Sequence, residues 1–265
     1  MENTLNKPLY FLRLAASDIN YDIRLNDCPV FEFGDEAPLN ADFPVNHWLV
    51  TGSNLLSVNI KANKKREYLA VGDMCNLEII KRVETKKGIE ESTVAALSKT
   101  IADYDAKQNL RNISITQTFT PDISFGPWLW QNDTQINSLP EIMKTLTGEL
   151  QELHSIIAAK DIEKLAKKLE LRDKDMAEAN YTDLATEQEL TISEFESFFD
   201  SSNLVLRDFD IKGLTIKLYG SRRLARIDNL EGNSPIVLTD SDGHYDVFLP
   251  FIFCRDKQKK WIIIR

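Results

Sequence analysis

The imidazoles, as the side chains that titrate nearest neutral pH, are the first candidates for acid–base work. There are three, His47, His154 and His244. His244 sits in Asp240-Ser241-Asp242-Gly243-His244-Tyr245-Asp246, the most motif-like stretch of the chain. Alternating carboxylates suit calcium, but the calcium-loop pattern wants glycine sixth and a bidentate glutamate twelfth. Counted from Asp240, Gly243 falls fourth and Phe251 twelfth, so the pattern fails. A hairpin turn on Asp242-Gly243 explains the same residues more simply. An acid–base enzyme built from this chain would use His244 with Asp246, which strand alternation puts on one face, or Tyr181 with His154. His47, before Trp48, and His154, beside an apolar helix stripe, also read as structural histidines. The chain contains no GxSxG, GxGxxG, Walker-type loop or HExxH. Its three cysteines, Cys28, Cys75 and Cys254, are far apart and form no CxxC pair, so they read as buried thiols rather than a zinc site or disulfide framework. No catalytic residue, metal ligand or cofactor is assigned, and the chain reads as a non-enzyme.

Among the elements that must position these residues, the first half shows short alternating runs. In Leu55-Leu56-Ser57-Val58-Asn59-Ile60, Leu56, Val58 and Ile60 share one face. Leu9 to Leu14, Tyr21 to Leu25, Leu77 to Val83 and Ile113 to Phe119 behave likewise, with turn residues such as Asn26-Asp27 and Gly52-Ser53-Asn54 between them. Many short strands predict a β-sandwich-like domain over 1–130. The spacing of Val94, Leu97, Ile101 and Tyr104 predicts an inserted helix near 89–108. The polar run Gln131 to Gln135 reads as a linker.

The second half, 138–265, begins helically. Ser138 and Glu141 form a capping-box pattern ahead of the stripe Leu139, Ile142/Met143, Leu146, Leu150, Leu153 and Ile157. A second helix is predicted after Asp161, with Leu165, Leu169, Met176 and Tyr181 inward. A third is predicted from a Thr191/Glu194 box. Strands follow at Leu214–Tyr219, Leu224–Ile227, Ile236–Leu238, Val247–Phe253 and Trp261–Ile264. The class is therefore α+β: an N-terminal β-sandwich-like domain plus a C-terminal domain of helices packed on a curved antiparallel sheet.

Three helices followed by strands ending in Lys260-Trp261-Ile262-Ile263-Ile264-Arg265 resemble the nuclear-transport-factor-two-like (SnoaL-like) fold. The resemblance covers roughly 138–265 and implies a cone with a pocket between helices and sheet, but no particular activity. The N-terminal half, with Phe43-Pro44-Val45-Asn46-His47-Trp48-Leu49, distantly resembles galactose-binding-like sandwiches. The two-part chain as a whole resembles bacterial toxin-immunity proteins.

Charge distribution narrows the function classes. The formal net charge is −9, the wrong sign for gripping a phosphate backbone, and the one dense basic group is Lys64-Lys65-Arg66. No apolar run reaches the roughly 18 residues of a membrane span, and the opening residues lack the pattern of a signal peptide. Nucleic-acid and membrane partners are not expected, and a cytoplasmic location is. From Asp175 to Leu206 there are eight acids and no Lys or Arg: Asp175, Glu178, Asp183, Glu187, Glu189, Glu194, Glu196 and Asp200. The spans Leu25–Ile60, with Asp27, Glu32, Asp35, Glu36 and Asp42, and Ile227–Cys254 are likewise acidic without a base. Such runs are commonly solvated faces, but segregated acids also steer a basic partner. The expected interface comprises Asp183, Glu187, Glu189, Glu194, Glu196, Asp35 and Glu36, with Trp128 and Trp130 as aromatic anchors. The alternative for the two tryptophans is a plug at the domain seam. The partner expected is a basic protein, most specifically a secreted bacterial toxin such as a type VI secretion effector, blocked by direct occlusion. The alternative function is a small-molecule binder or enzyme using the C-terminal pocket. A third reading is carbohydrate binding by the sandwich.

Overall fold

Two sheets carry the first unit, and both follow from period-two burial. In β1 (Leu9–Ser17), Tyr10, Leu12, Leu14 and Ala16 are buried; in β2 (Ile19–Leu25), Ile19, Tyr21, Ile23 and Leu25 are. The computed structural model describes residues 7–33, 38–124, 126–131, 135–201 and 203–265. β3 (Cys28–Phe33), β4 (Leu39–Pro44), β5 (Asn54–Ala62), β6 (Met74–Thr85), β7 (Gly88–Thr100) and β8 (Asn112–Phe119) complete the unit. The sheet orders are β4-β1-β6-β7 and β3-β2-β5-β8, with antiparallel neighbours throughout. Successive strands thus act as long ribbons: β1 leaves one sheet and β2 enters the other after a single left-handed residue, Asp18, at φ 59°. The β2–β3 turn uses Asn26 and Asp27 at φ 56° and 62°, the pair of left-handed residues that a two-residue hairpin matched to strand twist requires.

The helix expected near 89–108 does not form. Residues Gly88–Thr100 are β7, paired along β6, and only Asp103–Ala106 make one helical turn, α1. The register of β6 on β7 passes from Ile79↔Ala95 to Ile80↔Thr93, leaving Val94 as an extra, bulged residue. A bulge shifts the side-chain phase by one. That shift breaks the alternation and puts apolar residues at a helix-like spacing in a strand.

The chain divides into compact units Met1–Pro127 and Trp128–Arg265. The second opens with a short 3-10 turn, Leu129–Gln131, and then α2 (Leu139–Ala158), α3 (Ile162–Asn180) and α4 (Leu184–Asp200). On α2 the predicted stripe is buried at Ile142, Leu146, Leu150, Leu153 and Ile157, while Leu139 stays exposed. The Ser138 side chain makes no capping bond; the expected box partner, Glu141, faces Arg255 instead, 3.8 Å away. α3 starts where expected, with Asp161 accepting from the Lys164 amide, and ends on Tyr181 at φ 56°. Tyr181 is therefore a left-handed helix terminus rather than an inward core residue. α4 starts eight residues earlier than the Thr191/Glu194 pattern suggested: Asp183 caps it by accepting from the Thr186 amide at 2.8 Å. Thr191 is instead buried within the helix, donating to Asp173 Oδ1 (3.0 Å).

The strands after α4 are β9 (Leu204–Leu206), β10 (Thr215–Tyr219), β11 (Leu224–Asp228), β12 (Val237–Asp240), β13 (Asp246–Phe248), β14 (Phe253–Arg255) and β15 (Trp261–Ile263). They form two antiparallel sheets, β10-β11-β14-β15 and β13-β12-β9. The run Val247–Phe253, expected as one strand, is split between them. Pro250 lies in the gap and has no amide to give to a ladder. The helices close on the strands through one apolar core that includes Leu146, Leu150, Leu153, Leu165, Leu169, Phe195, Ile227, Leu238, Phe253 and Ile263. Burying side chains of this size stabilises by about 1.5–3 kcal/mol each before entropy is counted. Among the described residues, no helix is long and apolar enough to cross a membrane.

Candidate functional site

The expected acidic interface separates into inward and outward members. Glu187 is only 7% exposed and accepts from Asn180 Nδ2 (3.0 Å) and Thr182 Oγ1 (2.9 Å), tying the α3–α4 connection together. Trp128 and Trp130 are 1% and 4% exposed, so neither offers a surface anchor. Asp35 and Glu36 lie outside the described residues. Asp183 is exposed and acts as the α4 cap, and the Thr186 amide and hydroxyl hold its carboxyl below the usual range.

Glu189, Glu194, Glu196 and Asp200 remain, all exposed on α4. At 3.6 residues per turn, Glu189, Glu196 and Asp200 fall on one stripe, while Glu194 lies about 140° round the helix from Glu189. None of the four forms an ion pair or side-chain hydrogen bond with any described residue. Several acids elsewhere are matched, although Glu84, Glu90, Glu163, Glu170, Asp208 and Glu231 are also exposed without an ion pair to a described residue. Asp42 and Glu91 share Arg13 and Arg82, Asp22 and Asp27 hold Arg24, and Asp246 holds Arg207 at 2.6 Å. Fully buried Asp228 takes a two-point contact from Arg226, at 2.7 and 2.8 Å. Moreover, the last turn of α4 contains no basic residue. The helix dipole disfavours acids at that end, by roughly 0.3–1 kcal/mol each. Of the four acids only Asp200 lies in that turn, and the dipole thus does not explain its charge.

One histidine is held within the second unit. His154 Nε2 lies 2.7 Å from the Arg207 carbonyl and its ring packs near Phe209. His244 is exposed and Asp246 faces Arg207, so the two do not form an acid–base pair. Asp240, Asp242 and His244 each bring one donor atom within 4.8 Å of the others. The hairpin accounts for this cluster: Asp240 Oδ1 accepts from the Tyr245 amide (2.9 Å) and Gly243 closes the turn onto the Asp240 carbonyl (2.9 Å). All three cysteines are buried, and burial pushes the Cys75 and Cys254 thiols up to about 12.

Sequence reasoning overlooked two features of the second unit. The first is Asp175, 8% exposed, whose Oδ2 accepts no hydrogen bond from a described residue. Burial raises its carboxyl to about 6, with Glu178 adding to the rise and Arg265, Lys174 and the Leu129 amide opposing it. The second is an open groove of about 570 Å³ lined by Glu141, Thr145, Glu149, Lys168, Arg255, Lys259, Lys260 and Trp261. None of His154, Tyr181 and His244, the polar groups expected in a C-terminal pocket, lines this groove. No family model, no curated protein and no solved structure matches this chain.

Proposed function

We propose that this chain is a cytoplasmic protein-binding protein whose acidic α4 face engages a basic protein partner, and that its role is that of an immunity protein occluding a secreted bacterial toxin. The observation that carries the reading is the set Glu189, Glu194, Glu196 and Asp200: exposed and unmatched by any described cation, with Asp200 placed where the helix dipole works against it. Such a set of acids supplies a negative field that speeds encounter with a basic surface and disfavours wrong partners. Exposed Leu190, one turn before Glu194, adds apolar contact area on the same helix. The likeness of the two-part chain to immunity proteins and the absence of catalytic motifs favour a toxin as that partner. Occlusion needs no chemistry from the binder, only a surface that covers a basic cleft.

The test is the triple reversal Glu189→Lys, Glu194→Lys and Glu196→Lys, which leaves buried Glu187 and the Asp183 cap intact. Association with the partner should slow by at least about tenfold at low ionic strength, with a flatter dependence on salt. Unchanged association rates would remove α4 from the interface.

A further inference from the structure

The groove on the second unit is lined by four cations and two carboxylates in a chain of net charge −9. Its floor and rim come from four segments: Glu141, Thr145 and Glu149 on successive turns of α2, Lys168 on α3, Arg255 at the end of β14, and Lys259, Lys260 and Trp261 entering β15. Of its four cations, Lys168 is already committed, to Glu149 at 2.6 Å and Glu152 at 2.7 Å. Of the other three, Arg255 has one long ion pair and the two lysines have none among the described residues. The side chain of Arg255 is 11% exposed, and its nearest carboxylate oxygen, on Glu141, is 3.8 Å away. Its Nε is buried without an acceptor among the described residues. A guanidinium carries five donors, and leaving a buried one unmet costs about 1–3 kcal/mol. Lys259 and Lys260 are exposed and have no carboxylate partner among the described residues.

The surroundings hold these groups in place. The Arg255 guanidinium lies 4.6 Å from the centre of the Trp261 ring. The Trp261 indole donates to Thr145 Oγ1 at 3.0 Å and packs edge-on to Phe253. The β14–β15 turn is pinned by Asp256, whose Oδ1 accepts from the Lys260 amide (2.7 Å) and whose carbonyl accepts from Lys259 (2.9 Å). Lys259 itself has φ 64°, a conformation that glycine or asparagine adopts more readily. The turn therefore carries a cation where its backbone favours a smaller residue. Among the residues that line the groove, Lys168, Arg255, Lys259 and Lys260 outnumber Glu141 and Glu149 by two beside a fixed aromatic ring, and the neighbouring Glu152 and Asp256 do not line it.

We propose that this groove binds a phosphate-bearing small molecule, with the phosphate held by Arg255, Lys259 and Lys260. A phosphate monoester matches the set: it brings close to two negative charges and three acceptor oxygens, and the planar guanidinium fork meets two of those oxygens at once. The volume falls within the range of small-molecule sites. The site lies on elements other than α4 and is independent of the protein-binding face.

The test uses the full chain, with inorganic phosphate and glycerol 1-phosphate as probes. Glycerol and sodium chloride at matched ionic strength are the controls. The readout is the Trp261 indole N–H resonance, assigned by Trp261→Phe. Both phosphates should shift it saturably, with Kd at or below about 1 mM for the better ligand. The double variant Lys259→Gln/Lys260→Gln should raise that Kd at least about tenfold while the other three indole resonances keep their positions, showing the fold intact. A shift reproduced by chloride, a shift that does not saturate, or an unchanged Kd in the double variant overturns the assignment.

Discussion

Replacing Asp175 by asparagine should stabilise the protein at neutral pH, and the gain should vanish in acid. The carboxyl is 8% exposed, one oxygen accepts no hydrogen bond from a described residue, and its pKa rises from 3.8 to about 6. Between those two values the folded chain binds more protons at this site than the unfolded chain does. Stability from this group therefore falls as pH rises from about 4 to about 6, and the full deficit persists above that. At roughly 1.4 kcal/mol per tenfold, the deficit amounts to about 3 kcal/mol at pH 7.5. An asparagine side chain has the same shape without the charge, so Asp175→Asn should raise Tm by several degrees at pH 7.5 and by almost nothing near pH 4. Scanning calorimetry of both proteins from pH 4 to 8 reads the difference directly. The competing description makes Asp175 the carboxylate partner of Arg265, and breaking a buried pair is strongly destabilising, by roughly 3–5 kcal/mol. A variant that is less stable than the parent at neutral pH, or a difference that does not grow with pH, refutes the desolvation argument.

Three further outcomes follow from the same structure. Thr191→Val removes a buried hydroxyl that donates to Asp173 at 3.0 Å and lies 2.5 Å from Arg172, and should cost about 1–3 kcal/mol in denaturant unfolding. Asp200→Asn relieves an acid at the negative end of α4 and should stabilise by about 0.3–1 kcal/mol at low salt, a gain that high salt erases. Alkylation at pH 8 should leave Cys28, Cys75 and Cys254 unmodified in the native protein and label all three after denaturation, since the thiols are buried and Cys75 and Cys254 are pushed to about 12.

What was legible in the sequence was whatever a short window contains. The alternation of Tyr10, Leu12 and Leu14, the Asn26-Asp27 turn and the α2 stripe each declare themselves within a few residues, and the folded chain uses them as written. Features that depend on a partner strand or a distant segment were not legible. The bulge at Val94 exists only relative to β6, so the same residues imitate a helix when read alone. Thr191 and Glu194 satisfy the capping pattern locally, but Asp183 takes the cap because Thr191 is needed inside, against Asp173. The site shows the same division. The acid-only run Asp175–Leu206 is visible in the letters, but the inward turn of Glu187 is set by its bonds to the α3–α4 connection and that of Asp175 by its placement near Leu129 and Arg265. The phosphate groove had a sequence signal that could have been weighed: Arg255 to Arg265 carries five basic residues and one acid in a chain of net charge −9. Its other wall, from α2 and α3, lies far away in sequence.

The most direct test of the central reading is parallel affinity capture from the source lysate with the wild-type chain and the Glu189→Lys, Glu194→Lys, Glu196→Lys variant, quantified by mass spectrometry. The account predicts one basic protein retained in stoichiometric amount by the wild type and lost from the variant. A partner retained equally by both, or one with no basic surface, would contradict it.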